Sequence, residues 1–181
     1  MSQDDWEVWH PDCFEVTSEG VRAFGRAIQA SYVPYQTRRE LPADTPVPGT
    51  LMAAPMFDAA AVLVSRVIPG CNLSQIAHTA QRFRYVRPLR IGDLTSIGAR
   101  LLTHVDRADT DVLSIESAVY VRGVQHIVGT LGIVHGRRVP EGIDIVALDS
   151  ASDRVMRAGT GPSDSDHYSG IDAQPATQEG R

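Results

Sequence analysis

Residues 56–68, MFDAAAVLVSRVI, are apolar on nearly all sides, and a helix of that kind belongs inside a core. Pro55 suits a first helical turn and Pro69–Gly70 stops it, so a helix over 55–68 is expected. Four segments with period-two alternation follow. HTAQRFRYVRPL closes at a turn over 90–93, and LTSIGARLLTHV carries Ile97, Ala99, Leu101 and Val105 on one face. VLSIESAVYVR carries Leu113, Ile115, Val119 and Val121 on one face, and HIVGTLGIVHG begins after Gly123. Alternation broken by short polar turns predicts an antiparallel meander. A buried helix needs an apolar sheet face to cover it, so the expected class is α+β, one antiparallel sheet wrapped around a central apolar helix.

Upstream of that unit, Thr17 or Ser18 caps a helix whose Val21, Phe24 and Ile28 recur at helical spacing. It ends before Pro34, and ELPADTPVPG at 40–49 is a proline-rich loop. Residues 1–13 read as an N-terminal arm and 14–139 as the folded domain. Residues 140–181 are an acidic, low-complexity tail with few large apolar side chains, a composition that does not offset the entropy of ordering.

Charge and cysteine usage narrow the function. All 17 basic residues are arginine, which excludes lysine Schiff-base chemistry and a P-loop lysine. The tail carries eight acids against Arg154, Arg157 and Arg181, which accounts for the whole net charge of −5. A neutral body with an acidic tail argues against nucleic-acid binding. No run of 18 apolar residues and no basic-then-apolar leader is present, so no membrane span is expected. Two cysteines, Cys13 and Cys71, suit a reducing, cytoplasmic setting. His10 and Cys13 are too few to make a metal site, and His104, His126 and His135 lack a metal-binding spacing. No metal or other cofactor is expected.

FEVTSEGVRAFGRAI, GTLMAAPMF and QRFRYVRPLRIGD, within residues 14–138, resemble the MaoC-like hot-dog dehydratase and hydratase family. More narrowly, they resemble its N-terminal MaoC-like group, which includes the non-catalytic subunit of a two-subunit (3R)-hydroxyacyl-ACP dehydratase. The resemblance implies a hot-dog fold and an acyl-thioester ligand. The family's catalytic loop, Asp-x-Asn-Pro-x-His, laid over this chain on its proline, falls on residues 31–36, SYVPYQ. Ser31 then stands for the acid and Gln36 for the imidazole, and neither shuttles a proton near neutral pH. The family's His–Gly–Met element, whose glycine N–H holds the thioester carbonyl, falls on Ala54, Pro55 and Met56, where proline has no N–H.

What the resemblance implies is a catalytically degenerate subunit. It would pair with a dyad-bearing MaoC-like partner and contribute the acyl-binding channel for acyl-CoA or acyl-ACP. If active, it is a hydro-lyase within a heteromer. Tyr32, Tyr35, Gln36, Ala54 and Phe57 are the substrate-binding candidates, although the two tyrosines would equally serve as a packed lid or an interface. Arg84, Arg87 and Arg90 either meet a phosphate or an acidic carrier, or form a solvated face. The alternative is an enzyme of altered chemistry, a thioesterase using Asp58 or a tailoring enzyme on a carrier-bound or free polyketide-like product, with His78 as a second candidate. Without such a role Asp58 is a first-turn acid favoured by the helix dipole and His78 is solvated. A third reading is a homodimeric thioester binder without turnover.

Overall fold

The computed structural model describes residues 5–36 and 40–137. Five strands, β1 (Val8–Glu15), β2 (Ile76–Tyr85), β3 (Leu94–Arg107), β4 (Thr110–Val121) and β5 (Val124–Gly136), form one antiparallel sheet in the order β1-β3-β4-β5-β2. Three helices, α1 (Ser18–Ala27), α2 (Val33–Gln36) and α3 (Ala53–Val67), lie between β1 and β2 in sequence. The α+β expectation of a sheet packed on an apolar helix holds.

The strand order corrects the expected meander. Only β3–β4 and β4–β5 join through two-residue turns, and Arg122 (φ 49°) and Gly123 (φ 76°) supply the paired left-handed residues of a tight hairpin. Eight residues, including Pro88, separate β2 from β3, and β2 pairs with β5 instead. A second correction concerns the N-terminal arm. Residues 8–13 belong to β1, an edge strand on β3; the expected acidic tail lies outside the described residues.

The central helix begins two residues earlier than expected, entered from a 3-10 turn, Gly49–Met52. Met56, Ala59, Ala60, Leu63 and Val64 are its buried residues, a single stripe at helical spacing, while Ser65 and Arg66 are exposed. Against that stripe lie Ile97, Ala99, Leu113, Ile115, Val119, Leu131 and Ile133 from the sheet. Each large side chain so buried contributes about 1.5–3 kcal/mol. The stretch Gly49–Val67 is long and apolar enough, by length and composition, to cross a membrane; here it is the helix on which the sheet packs.

Two apolar expectations fail locally. Ile28 is exposed because α1 ends at Ala27 and the chain turns at Gln29 (φ 53°). Val105 is exposed because the β3–β4 register shifts between Leu101 and Thr103, and the strand leaves the core beyond that point. Thr17 does cap α1, its Oγ1 accepting the Gly20 N–H at 3.0 Å.

Candidate functional site

The turn at residues 31–36 contains Ser31, which is exposed, and the single helical turn α2. Tyr35 fixes it. The ring packs on α1 so closely that a Cβ on Gly25 would lie 2.6 Å from Tyr35 Cδ2. Its hydroxyl donates to the Pro46 carbonyl, and its own carbonyl accepts from Arg26 Nε at 3.2 Å. Tyr35 is therefore a core residue rather than a channel wall, and burial pushes its phenol up. Gln36 Nε2 donates to the Ala30 carbonyl at 3.1 Å. Tyr32 stands edge-on to Tyr35, ring centres 4.8 Å apart, and is exposed.

At the start of α3, Ala54 is exposed and Pro55 occupies the third helical position. The Ala53 N–H is engaged by the Thr50 carbonyl. Phe57 is half-buried, with its ring centre 5.3 Å from that of His78 on β2. Successive helical residues point about 100° apart. Phe57 thus meets the β2 side and Asp58 the β1 side, so the fold does not bring His78 onto Asp58.

Asp58 instead opens into a cavity of about 390 Å³ lined by His10, Cys13, Phe14 and Glu15 from β1, by Thr17 and Gly20 at the start of α1, and by Pro55, Ala59 and Val62 from α3. Burial raises the Asp58 carboxyl above its ordinary range, and the nearby His10 pulls it partly back. Burial likewise raises the Cys13 thiol, with the Asp12 and Asp58 charges adding to it.

A bulge in β1 explains why His10 and Cys13 share this wall. In a regular strand residues three apart face opposite ways. Here His10 pairs with Ile97 and Phe14 with Thr95, so β1 carries two extra residues over that step. Asp12 sits at φ 44°, its N–H donating to Ser96 Oγ at 3.0 Å and its Oδ1 accepting from that hydroxyl at 3.3 Å. Sequence reasoning set His10 aside as part of an arm. The available signal was Pro11, a residue that in a strand marks an edge or a bulge.

A second concavity, about 340 Å³, is lined by Val47, Gly49, Tyr85, Val86, Arg87 and Leu89, among others. It is mostly apolar. Tyr85 lies over Gly49, where a Cβ would come within 3.0 Å of the hydroxyl. Arg84, Arg87 and Arg90 are all exposed.

The remaining charged cluster centres on Asp111, which is buried and accepts from Arg137 Nε at 2.8 Å, Arg137 Nη2 at 2.5 Å and His104 Nε2 at 2.9 Å. His135 Nδ1 lies 3.3 Å from its other oxygen. The Arg137 hydrogen bonds hold this carboxyl well below the usual carboxylate range despite burial, with the two histidines helping. Among the described residues no group of three or more His, Cys, Asp or Glu is placed to hold a metal ion.

Residues 5–128 match the profile of the FAS1-like, dehydratase domain region family. A UPF0336 protein of Streptomyces avermitilis is 28% identical over 135 residues, spanning 72% of this chain and 90% of the relative. A UPF0336 protein of Streptomyces griseus is 30% identical over 111 residues, 59% of this chain and 74% of the relative. Among solved structures, a MaoC-like dehydratase superimposes with a TM-score of 0.62 at 17% identity, over 94% of this chain and 51% of that one. The HadBC (3R-hydroxyacyl-ACP dehydratase) complex of Mycobacterium tuberculosis gives 0.56 at 16% identity, over 70% of this chain and 93% of that one. At these identities the structural likeness is one of fold, the hot-dog fold.

Proposed function

The chain belongs to the FAS1-like dehydratase-region family, and from that premise we propose that it is the acyl-holding half of a two-subunit (3R)-hydroxyacyl-thioester dehydratase or enoyl-thioester hydratase. A dyad-bearing MaoC-like partner supplies the acid–base pair. One observation carries this reading: the 31–36 turn keeps a packed shape through Tyr35 and Gln36 while offering no titratable group at Ser31 or Gln36. Pro55, with no N–H to hold a thioester oxygen, agrees with it.

The rest of the surface suits such a role. β2 is exposed along most of its length and forms an open sheet edge, the kind of strand that a second hot-dog subunit covers by continuing the sheet. The apolar groove at Tyr85 and Val86 adjoins the end of that strand and is the proposed path of the acyl chain. Tyr32, Ala54 and Phe57 are the proposed contacts to the thioester, with Tyr35 and Gln36 acting through the shape of the turn. Arg84, Arg87 and Arg90 offer bidentate donors to a CoA phosphate or an acidic carrier protein. In this reading residues 14–139 and the strand residues before them form the working domain, residues 140–181 are an acidic appendage, and the assembly works in the cytoplasm.

The test is hydration of crotonyl-CoA, followed by loss of the enoyl absorbance. The lone chain is expected to give none, and mixing with a dyad-bearing MaoC-like partner is expected to give activity above that of the partner alone. Robust hydration by the lone chain would overturn the proposal.

A further inference from the structure

Between Asp58 and Asp93 the chain carries five arginines and no acid. Arg66 sits on α3, where its Nη1 donates to the Glu7 carbonyl at 2.7 Å. The other four, Arg82, Arg84, Arg87 and Arg90, are exposed along β2 and the connection after it. Among the described residues no carboxylate pairs with any of them. Arg82 and Arg84 are two apart and so share one face of the strand. They lie across from Thr130 and Val128 of β5, which bring no charge. The acids closest in register are already engaged: Glu116, opposite Thr130, holds Arg100 at 2.7 Å, and Asp93 accepts from the Arg90 backbone N–H at 2.7 Å. The open β2 edge of the sheet is therefore a positive row with no internal counter-charge.

We propose that the acidic segment 140–181 of the same chain is the occupant of this row. The segment lies outside the described residues, and its charge and point of departure assign it. It carries eight acids against three arginines, while residues 1–139 balance to zero. The chain leaves the sheet at the end of β5, where Arg137 is anchored by the Asp109 carbonyl and by the Asp106 and Asp111 carboxylates. That point adjoins the start of β2, since His135 pairs with Ile76. Arg84 stands eight positions further along β2, roughly 26 Å away at ~3.3 Å per strand residue. About eight extended residues cover the same span, so Asp149, Asp153, Asp164 and Asp166 are all within reach. Single surface ion pairs are weak, but a tether holds these carboxylates at an effective concentration on the order of millimolar. The consequence rests on the subunit role proposed above: the segment competes with the thioester carrier for the arginines.

The chain has no lysine, so Arg84→Lys places a single side-chain amine in the row and keeps its charge. The experiment treats this full-length variant with a water-soluble carbodiimide, which joins amines to carboxylates in contact, and maps the links by mass spectrometry. Arg66→Lys on α3 is the control, and mixing isotope-labelled with unlabelled chains separates links within a chain from links between chains. Links within one chain from position 84 to acids of 140–181 are expected, about fivefold or more above those from position 66. They should fall about fivefold or more in 1 M salt, where the screening length shrinks to ~3 Å. Arg87→Lys repeats the measurement should Arg84→Lys fail to fold. Tail links no more abundant than from position 66, or found only between chains, overturn the proposal. The competition has its own readout in the assembled enzyme. Asp149→Asn, Asp153→Asn, Asp164→Asn and Asp166→Asn together should lower the KM for crotonyl-CoA about twofold or more at unchanged kcat, and an unchanged KM overturns the competition. Absence of hydration in every mixture sinks the subunit role, while the links in the lone chain decide the contact by themselves.

Discussion

Asp58 and Asp111 are two aspartates against one core, and the fold treats them in opposite ways. Asp111 continues the inward row of Leu113 and Ile115 on β4 and leaves the core clamped by Arg137, His104 and His135. Its charge is saturated, and its carboxyl is held low. Asp58 has His10 across a cavity and no donor among the described residues, and its carboxyl is pushed up. A carboxylate with every lone pair engaged has nothing left for a ligand, so Asp111 is a strand clamp. A carboxylate left half-buried without a donor costs stability, which is how residues kept for binding or chemistry commonly differ from residues kept for the fold.

The largest expected effect lies at the clamp. Asp111→Ala should cost roughly 2–3 kcal/mol in denaturant unfolding, below the about 3–5 of a fully buried pair because Arg137 keeps its contact to Asp106 and part of its solvent. A loss under about 0.5 kcal/mol would show that the four-residue cluster does not hold the strand ends. The pH dependence follows from the signs. A folded-state carboxyl below its unfolded value contributes stability that is complete above the ordinary aspartate pKa of about 4 and drains away as pH falls below it. The gap between the parent chain and Asp111→Asn should therefore be flat from about pH 5 to 7 and narrow in more acid buffers. A gap that widened on acidification would reverse the assignment. His104→Ala removes one partly exposed donor of the same cluster and should cost about 0.5–1.5 kcal/mol.

The sequence was most readable where spacing is local. The Thr17 cap, the apolar α3 stripe and the inward face of β4 each depend on neighbours within one turn or one strand, and each stands as expected. What stayed hidden depends on distant pairing. β1 was disguised because Pro11 and Asp12 interrupt its alternation with a bulge, and only pairing to β3 reveals the strand. The placing of β2 beside β5 is decided by a long connection whose path leaves no mark in periodicity. Asp58 and His10 line one cavity for the same reason, since a helix and a bulged strand 48 positions apart face each other only after the sheet has formed. The 31–36 turn, by contrast, could be located from its proline, while Tyr35's change from channel candidate to core residue required Gly25 and Pro46.

The smallest expected effect is the most discriminating. In Asp58 the folded-state carboxyl lies above its unfolded value, so its ionisation opposes folding. The cost is absent below the ordinary carboxylate pKa and appears as pH rises through the raised one. Asp58→Asn removes that charge at nearly constant volume. At pH 7 it should raise stability slightly, by less than ~1 kcal/mol, since solvent reaches the site and screens it. At pH 3, where the parent carboxyl is already neutral, the difference should vanish. The sign is opposite to that at Asp111, whose contribution has only narrowed at pH 3 and is lost as pH falls through its much lower folded-state value, which makes urea unfolding of both variants at pH 3 and 7 a direct comparison. A loss of more than about 1 kcal/mol at pH 7 would mean that Asp58 has a structural partner. A small gain at pH 7 that vanishes at pH 3 is the pattern of a residue held at the expense of the fold.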